Sequence, residues 1–151
     1  MFSKTSIAVA TVALFATVAP ATASREARGH TIVIRAHSQV EHAAVVDNPP
    51  TGHSAGDVLV FTENLLGAKG TSIGHDAATC TTLFDARSLC TGAYVLHGGQ
   101  VHVQLVQPGP TGRYDQAITG GTGRFARATG TVTVDQGSGS DRFTFRIHVA
   151  L

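Results

Sequence analysis

Short apolar runs, rich in Val, Ile, Thr and Phe, recur along the chain from residue 24 onward and are separated by Gly, Pro, Asn and Asp. No long stretch of this part has the i, i+3, i+4 apolar spacing of an amphipathic helix. The pattern is typical of an all-β domain, a sandwich or a barrel. It predicts eight strands, at residues 30–37, 56–65, 70–82, 89–97, 100–106, 114–119, 128–135 and 142–150.

The segment between the first two predicted strands, residues 38–55, contains Asn48-Pro49-Pro50 and Gly52. Residues of this kind break regular structure and favour turns. We therefore expect a long loop here, the only connection long enough to serve as a lid or rim.

The chain has two cysteines, Cys80 and Cys90, which are equidistant from Asp85. A turn centred on Asp85 sets the two cysteines opposite each other and pairs Asp76 with Tyr94. Directly opposed Cβ atoms lie about 4.5–5.5 Å apart, near the range that a disulfide requires. The spacing predicts a disulfide that staples this hairpin, whereas two cysteines ten residues apart would be unusual ligands for a metal.

A two-residue turn at Gly98-Gly99 is predicted next, and it would set Tyr94 opposite Val103. The strand after it alternates strictly between apolar and polar residues, and this alternation indicates which positions face inward. The predicted inward set is Asp76, Ala78, Gly92, Tyr94, Leu96, Val101, Val103, Leu105, Phe143, Phe145, Ile147, Val149 and the disulfide. Most histidines then face outward, and no metal site is predicted.

The first 23 residues have the features of a secretory signal peptide. Lys4 precedes an apolar stretch from Ile7 to Val18, and Ala21-Thr22-Ala23 provides small residues for cleavage after Ala23. An uncleaved anchor is the alternative, although the stretch is short for a membrane span. We expect a secreted, extracellular protein with a flexible lead-in at 24–29, a single domain at 30–151 and no membrane contact after cleavage.

Removal of residues 1–23 takes Lys4 with it and leaves ten basic and ten acidic residues, so the mature chain is formally neutral. A nucleic-acid-binding domain would carry a basic patch or stripe. We therefore expect no nucleic-acid partner.

Three segments in order resemble motifs of the plant allene oxide cyclase and dirigent families. Residues 117–125, Ala-Ile-Thr-Gly-Gly-Thr-Gly-Arg-Phe, followed by Ala128-Thr129-Gly130, are similar to a glycine-rich turn that both families share. Residues 56–62 are similar to a cyclase strand, and residues 70–74 match the opening of the next strand in both families. The resemblance implies a single eight-stranded antiparallel β-barrel. A phosphate-binding loop at the glycines is the alternative, but it needs a helix where the chain is strand-like.

The resemblance also implies that the barrel interior binds a small, mostly apolar molecule. The positions that match polar cyclase residues hold Arg35, His37, Glu63 and Asp76 here, and none of the four keeps the cyclase residue. We predict that Glu63, Asp76 and Tyr94 are catalytic, with Arg35 pairing a buried carboxyl. Ligand contacts are predicted at Arg35, His37, Phe61, Leu96 and Val103.

Two functional hypotheses follow. In the first, the barrel binds a small hydrophobic or aromatic molecule and steers a cyclisation, isomerisation or coupling without a cofactor. In the second, it is a non-catalytic exported binding or structural barrel, and the polar cluster only satisfies its own hydrogen bonds. A homo-oligomer, a trimer, is expected from the resemblance alone.

Overall fold

The computed structural model describes residues 29–107, 112–137 and 140–150, so the predicted signal peptide and most of the predicted lead-in lie outside the described residues. The eight strands form one closed antiparallel barrel in sequential order, which confirms the predicted fold class. They are β1 (Gly29–Val46), β2 (Val58–Leu66), β3 (Ser72–Thr82), β4 (Ser88–Leu96), β5 (Gly99–Gln107), β6 (Arg113–Gly121), β7 (Ala128–Asp135) and β8 (Arg142–Ala150). A single 3₁₀ turn (Gly123–Phe125) precedes β7. Within the described ranges, no helix has the length and apolarity needed to cross a membrane.

The first strand is much longer than predicted, because much of the segment expected to be a loop continues it. Residues 29–37 of β1 pair with β8, and residues 37–46 pair with β2. The extension lacks an alternating pattern because most of its side chains are exposed on both faces, and a bulge between Val40 and His42 shifts its register. The prediction of a loop over 38–55 was therefore wrong for residues 38–46.

The hairpin of β3 and β4 has the predicted register, with Cys80 opposite Cys90 and Asp76 opposite Tyr94. The two cysteines form the predicted disulfide, and their Cα atoms lie 4.0 Å apart. The next hairpin differs, because its two-residue turn is His97-Gly98 and Tyr94 faces Val101 rather than Val103. The predicted pairing is displaced by two residues. A displacement of two residues keeps every side chain on the same face of the sheet, so the inward face was still predicted correctly.

The turn between β4 and β5 packs against the glycine-rich segment after β6. A Cβ atom on Gly99 would lie 2.1 Å from the carbonyl oxygen of Thr122, and one on Gly123 would lie 2.2 Å from that of Gly98. Only glycine permits such close backbone approach. The amide of Arg124 donates to the Gly98 carbonyl at 2.8 Å, so the glycine-rich segment is held against the β4–β5 turn by backbone contacts. A short 3₁₀ turn and strand β7 follow the glycines, in place of the α-helix that a phosphate-binding loop requires.

The core fills the barrel at the end where these turns meet, which we call the packed end. The seven largest fully buried side chains among the described residues are Phe125, Phe145, Leu65, Ile147, Val101, Val132 and Val134, of which Val134 lies nearest the other end and pairs with Phe143. The opposite end, where β3 joins β4 and β7 approaches β8, is called the cavity end. Charged and polar side chains are buried toward it, among them Glu63 and Asp76.

Candidate functional site

A cavity of about 250 Å³ lies inside the barrel toward the cavity end. Its apolar wall includes Phe61, Val103, Leu105 and Phe143 together with the disulfide. Small-molecule pockets usually span about 300–1,000 Å³, so this cavity suits a compact ligand of roughly two rings.

Three of the predicted site residues form one row across neighbouring strands. Glu63 on β2 pairs with Asp76 on β3, and Asp76 pairs with Tyr94 on β4. All three side chains are buried and line the cavity, with Glu63 at 7% and Asp76 at 4% exposure. The structure thus brings the three predicted catalytic residues together.

The two carboxyl groups have no cationic partner in the cavity. Its described lining residues include no lysine, arginine or histidine. Burial raises the pKa of Glu63 to about 7, and the nearby carboxyls of Asp76 and Asp141 raise it as well, against a hydrogen bond from Ser38 that lowers it.

Asp76 is similarly perturbed. Burial raises its pKa to about 7, while hydrogen bonds from backbone amides act in the opposite direction. One of these is the amide of Glu63, which donates to Oδ1 of Asp76 at 3.0 Å. With both pKa values raised to about 7, each carboxyl is close to half-protonated near neutral pH, which is the property that a general acid or base requires.

Tyr94 lies beside the two carboxyls but donates to neither of them. Its hydroxyl donates to Oε1 of Gln116 at 2.7 Å. Its ring meets Phe145 edge-on, with ring centroids 4.8 Å apart, and contacts Phe143 at 5.8 Å. Burial raises the pKa of Tyr94 well above its usual value, so this phenol stays protonated.

Arg35 and His37 do not reach the interior, and the prediction that they line it was wrong. Both are exposed on β1, and the inward positions are Ala36 and Ser38 beside them. Matching by resemblance displaced this strand by one residue, and a one-residue displacement moves every side chain to the opposite face. The expected Arg35 ion pair is therefore absent from the described cavity lining.

The three predicted apolar contacts divide between the two ends of the barrel. Phe61 and Val103 line the cavity. Leu96 faces inward as predicted, but it lies in the core cluster and not on the cavity wall.

Sequence reasoning missed several polar groups that line the cavity: Tyr114, Gln116, Gln136 and Asp141. Tyr114 and Gln116 alternate with the buried Ile118 along β6, and that alternation could have identified them. Asp141 precedes β8 and Gln136 follows β7, where no strand periodicity applies. Oε1 of Gln136 is buried and has no hydrogen-bond partner among the described residues.

The two buried carboxyls of this cavity can take part in acid–base chemistry. Its other polar side chains can form hydrogen bonds to a molecule held against the apolar wall. Across the described part of the chain, no group of three His, Cys, Asp or Glu side chains is placed to share a metal ion. The expected lack of a cofactor stays a prediction.

No protein-family model and no curated protein matches the chain. Solved structures do match its fold. A pyocyanin demethylase superposes with a TM-score of 0.70 at 22% identity, over 77% of this chain and 99% of that one. A pterocarpan synthase dirigent protein gives 0.62 at 16% identity, over 83% and 97%. A Diels-Alderase from Streptomyces koyangensis gives 0.62 at 16% identity, over 80% and 64%.

At these identities the matches bear on the fold. The expected resemblance to dirigent and cyclase barrels is thereby confirmed in its architecture. The protein has the closed eight-stranded β-barrel that also forms the scaffold of dirigent proteins, Diels-Alderases and a pyocyanin demethylase.

Proposed function

We propose that the protein binds a small hydrophobic or aromatic molecule in its barrel and steers a cyclisation, isomerisation or coupling of that molecule without a cofactor. The observation that carries the proposal is the pair of Glu63 and Asp76, buried on a largely apolar cavity and lacking a cationic partner there. A purely structural carboxyl pair would be costly in such a position.

The carboxyl pair supplies both protonation states that the reaction needs. With pKa values near 7, one carboxyl can donate a proton to the bound molecule while the other accepts one. Tyr94 and Gln116 form a hydrogen-bonded pair on the cavity wall that helps to fix the orientation of the ligand. Similar barrels include a Diels-Alderase and a dirigent protein named as a pterocarpan synthase, which supports a ring-forming or coupling reaction.

Binding is tested first by titration calorimetry with the neutral aromatic 2-naphthol, because the tryptophan variants used below would add their own fluorescence to an emission measurement. Val103 lines the cavity, whereas Gln104 beside it is exposed on the outer face. We expect Val103→Trp to fill the cavity and abolish binding, and Gln104→Trp to leave it unchanged. Thermal melts followed by circular dichroism confirm that both variants are folded. Equal binding by a folded Val103→Trp variant would refute the proposed pocket.

Catalysis is tested with the molecule that co-purifies with the Glu63→Gln/Asp76→Asn double variant and is identified by mass spectrometry, because an active wild type would already have converted it. We expect the wild type to convert it, and Glu63→Gln and Asp76→Asn to bind it with little conversion. The exposed Glu41 provides a matched control, because Glu41→Gln removes a carboxyl without touching the cavity. Recovery of the unchanged molecule from the wild type would leave a binding barrel and overturn the catalytic part of the proposal.

We also propose that the chain is exported and cleaved after Ala23, since a disulfide is favoured in an oxidising compartment. N-terminal sequencing of the exported protein should begin at Ser24. The homo-oligomer implied by the resemblance stays a prediction, which light scattering would check.

A further inference from the structure

The charged side chains among the described residues of the cavity wall are all acidic. Three carboxyl groups line the cavity, from Glu63, Asp76 and Asp141, and no basic side chain accompanies them among the described lining residues. Arginines of the neighbouring strands β1 and β8 are exposed instead, as Arg35, Arg142 and Arg146 illustrate. Buried carboxylates are normally paired with a cation or a metal. The protein itself does not supply this cation from the described wall.

The remaining polar groups add acceptors to this wall. Oε1 of Gln116 is already occupied by the Tyr94 hydroxyl, but Oε1 of Gln136 is buried without a donor. An unsatisfied buried carbonyl oxygen is unfavourable unless a donor reaches it. A ligand with N–H groups or a positive charge would satisfy the carboxyls and this acceptor together.

Aromatic rings complete the cavity. Phe61, Tyr94, Tyr114 and Phe143 come from four different strands and line the same space as the carboxyls. The face of an aromatic ring attracts a cation, and several rings around one space reinforce that attraction. Rings combined with carboxylates are the means by which proteins recognise organic cations, whereas an anionic ligand would be repelled.

From this lining we infer that the barrel selects a flat aromatic cation, such as a protonated or quaternary nitrogen heterocycle or an aryl ammonium. The inference rests on the proposed ligand-binding function and adds the charge of the ligand to it. Neutral molecules of the same shape would bind more weakly, and aromatic carboxylates hardly at all.

The selectivity should depend on pH, since the carboxyls attract a cation only when ionised. The titratable groups that face Glu63 are Asp76 from β3, Tyr94 from β4, Tyr114 from β6 and Asp141 before β8. Burial raises the pKa of Tyr114 to about 12 and that of Tyr94 above its usual value, so neither phenol ionises in the range of interest. The carboxyls alone determine the change.

The experiment compares three two-ring probes that differ mainly in charge: N-methylquinolinium, its neutral isostere 1-methylnaphthalene, and the anion 1-naphthoate. Their dissociation constants are measured by calorimetry with the purified wild-type protein at pH 8.5 and at pH 5.0. At pH 8.5 we expect the cation to bind roughly tenfold or more tightly than its neutral isostere. At pH 5.0 the preference should fall to a few-fold, because both carboxyls of the pair are protonated.

Carboxyl-to-amide variants locate the effect. The double variant Glu63→Gln/Asp76→Asn should lose most of the preference at pH 8.5 and still bind 1-methylnaphthalene, whereas Glu41→Gln should behave as the wild type. If the double variant does not fold, Glu63→Gln alone provides the same comparison with a partial loss.

Each outcome separates this inference from the proposed function. Failure of all three probes to bind at either pH would contradict ligand binding itself. Binding of 1-methylnaphthalene as tight as that of the cation, or tighter binding of 1-naphthoate, would overturn the inference and leave the binding function intact. A cation preference that persists in the folded double variant would also overturn it.

Discussion

The two ends of the barrel are built from the same strands but differ in what the inward side chains do. At the packed end, Phe125, Leu65 and Ile147 are at most 1% exposed and fill the space between the strands. At the cavity end, the inward positions of those strands hold Glu63, Asp76 and Tyr94 around a space of about 250 Å³. A strand such as β2 contributes to both, with Leu65 in the core and Glu63 on the cavity.

The difference shows how a small barrel can bury carboxyl groups, whose burial is unfavourable, and still be stable. Apolar packing at one end stabilises the closed sheet, and glycine turns allow its backbone to approach closely. The other end is held by the strand ladders and by a disulfide that lies on the cavity wall. The apolar core and the buried carboxyls are thereby separated between the two ends of the same barrel.

The largest effect is expected from Phe125→Ala, which would remove a ring that is 1% exposed from the packed end. Truncation of a buried phenylalanine costs about 3–5 kcal/mol, through lost burial and the cavity left behind. The same truncation at the cavity end, Phe84→Ala, is the matched control, because Phe84 is fully exposed in the turn after β3. It should change stability by less than about 0.5 kcal/mol. Urea denaturation followed by circular dichroism measures both, and similar losses would contradict the assignment of Phe125 to the core of the packed end.

A smaller loss is expected when the disulfide is removed by Cys80→Ala/Cys90→Ala. The bond closes a loop with a sequence separation of 10, for which the chain-entropy model gives about 2–3 kcal/mol. Phe125 and its neighbours do not depend on this bond, so the variant should still fold. Urea denaturation of the oxidised wild type, with and without reductant, provides the comparison. The reductant should lower the stability of the wild type toward that of the variant and leave the variant unchanged.

Alternation along the chain was enough to predict much of this architecture. Strands β7 and β8 begin and end where the sequence placed them, and the inward set of β8 was correct. The symmetric position of Cys80 and Cys90 about Asp85 fixed the register of one hairpin. Local periodicity succeeds in these strands because each has one face in the core and one in solvent.

The failures lie where that condition does not hold. The second half of β1 is exposed on both faces, so no alternation distinguished it from a loop. Arg35 was assigned by resemblance alone, and a one-residue displacement placed its side chain on the wrong face. Gln136 and Asp141 lie beyond the ends of strands, and only the closed barrel brings them to the cavity. Predicting them would have required the tertiary arrangement.

The smallest effect concerns the dependence of stability on pH at the cavity end. The folded protein raises the pKa values of Glu63 and Asp76 to about 7, whereas the unfolded chain has ordinary values near 4.5 and 3.8. Between these limits the folded state binds more protons than the unfolded state, so the free energy of unfolding falls as pH rises. The stabilisation is complete below about pH 4 and is lost as pH rises through about 7.

Replacing the pair with Glu63→Gln/Asp76→Asn should remove this slope. Because both groups line a cavity and not solid core, we expect the variant to gain only on the order of 1–2 kcal/mol over the wild type at pH 8, relative to their difference at pH 5. Urea denaturation at pH 5, 6, 7 and 8 measures that difference, and Glu41→Gln should parallel the wild type throughout. A wild-type curve that ran parallel to that of the double variant would mean that the carboxyls are as well solvated in the folded barrel as in the unfolded chain. The cavity end would then carry no electrostatic cost, and the contrast with the packed end would reduce to packing alone.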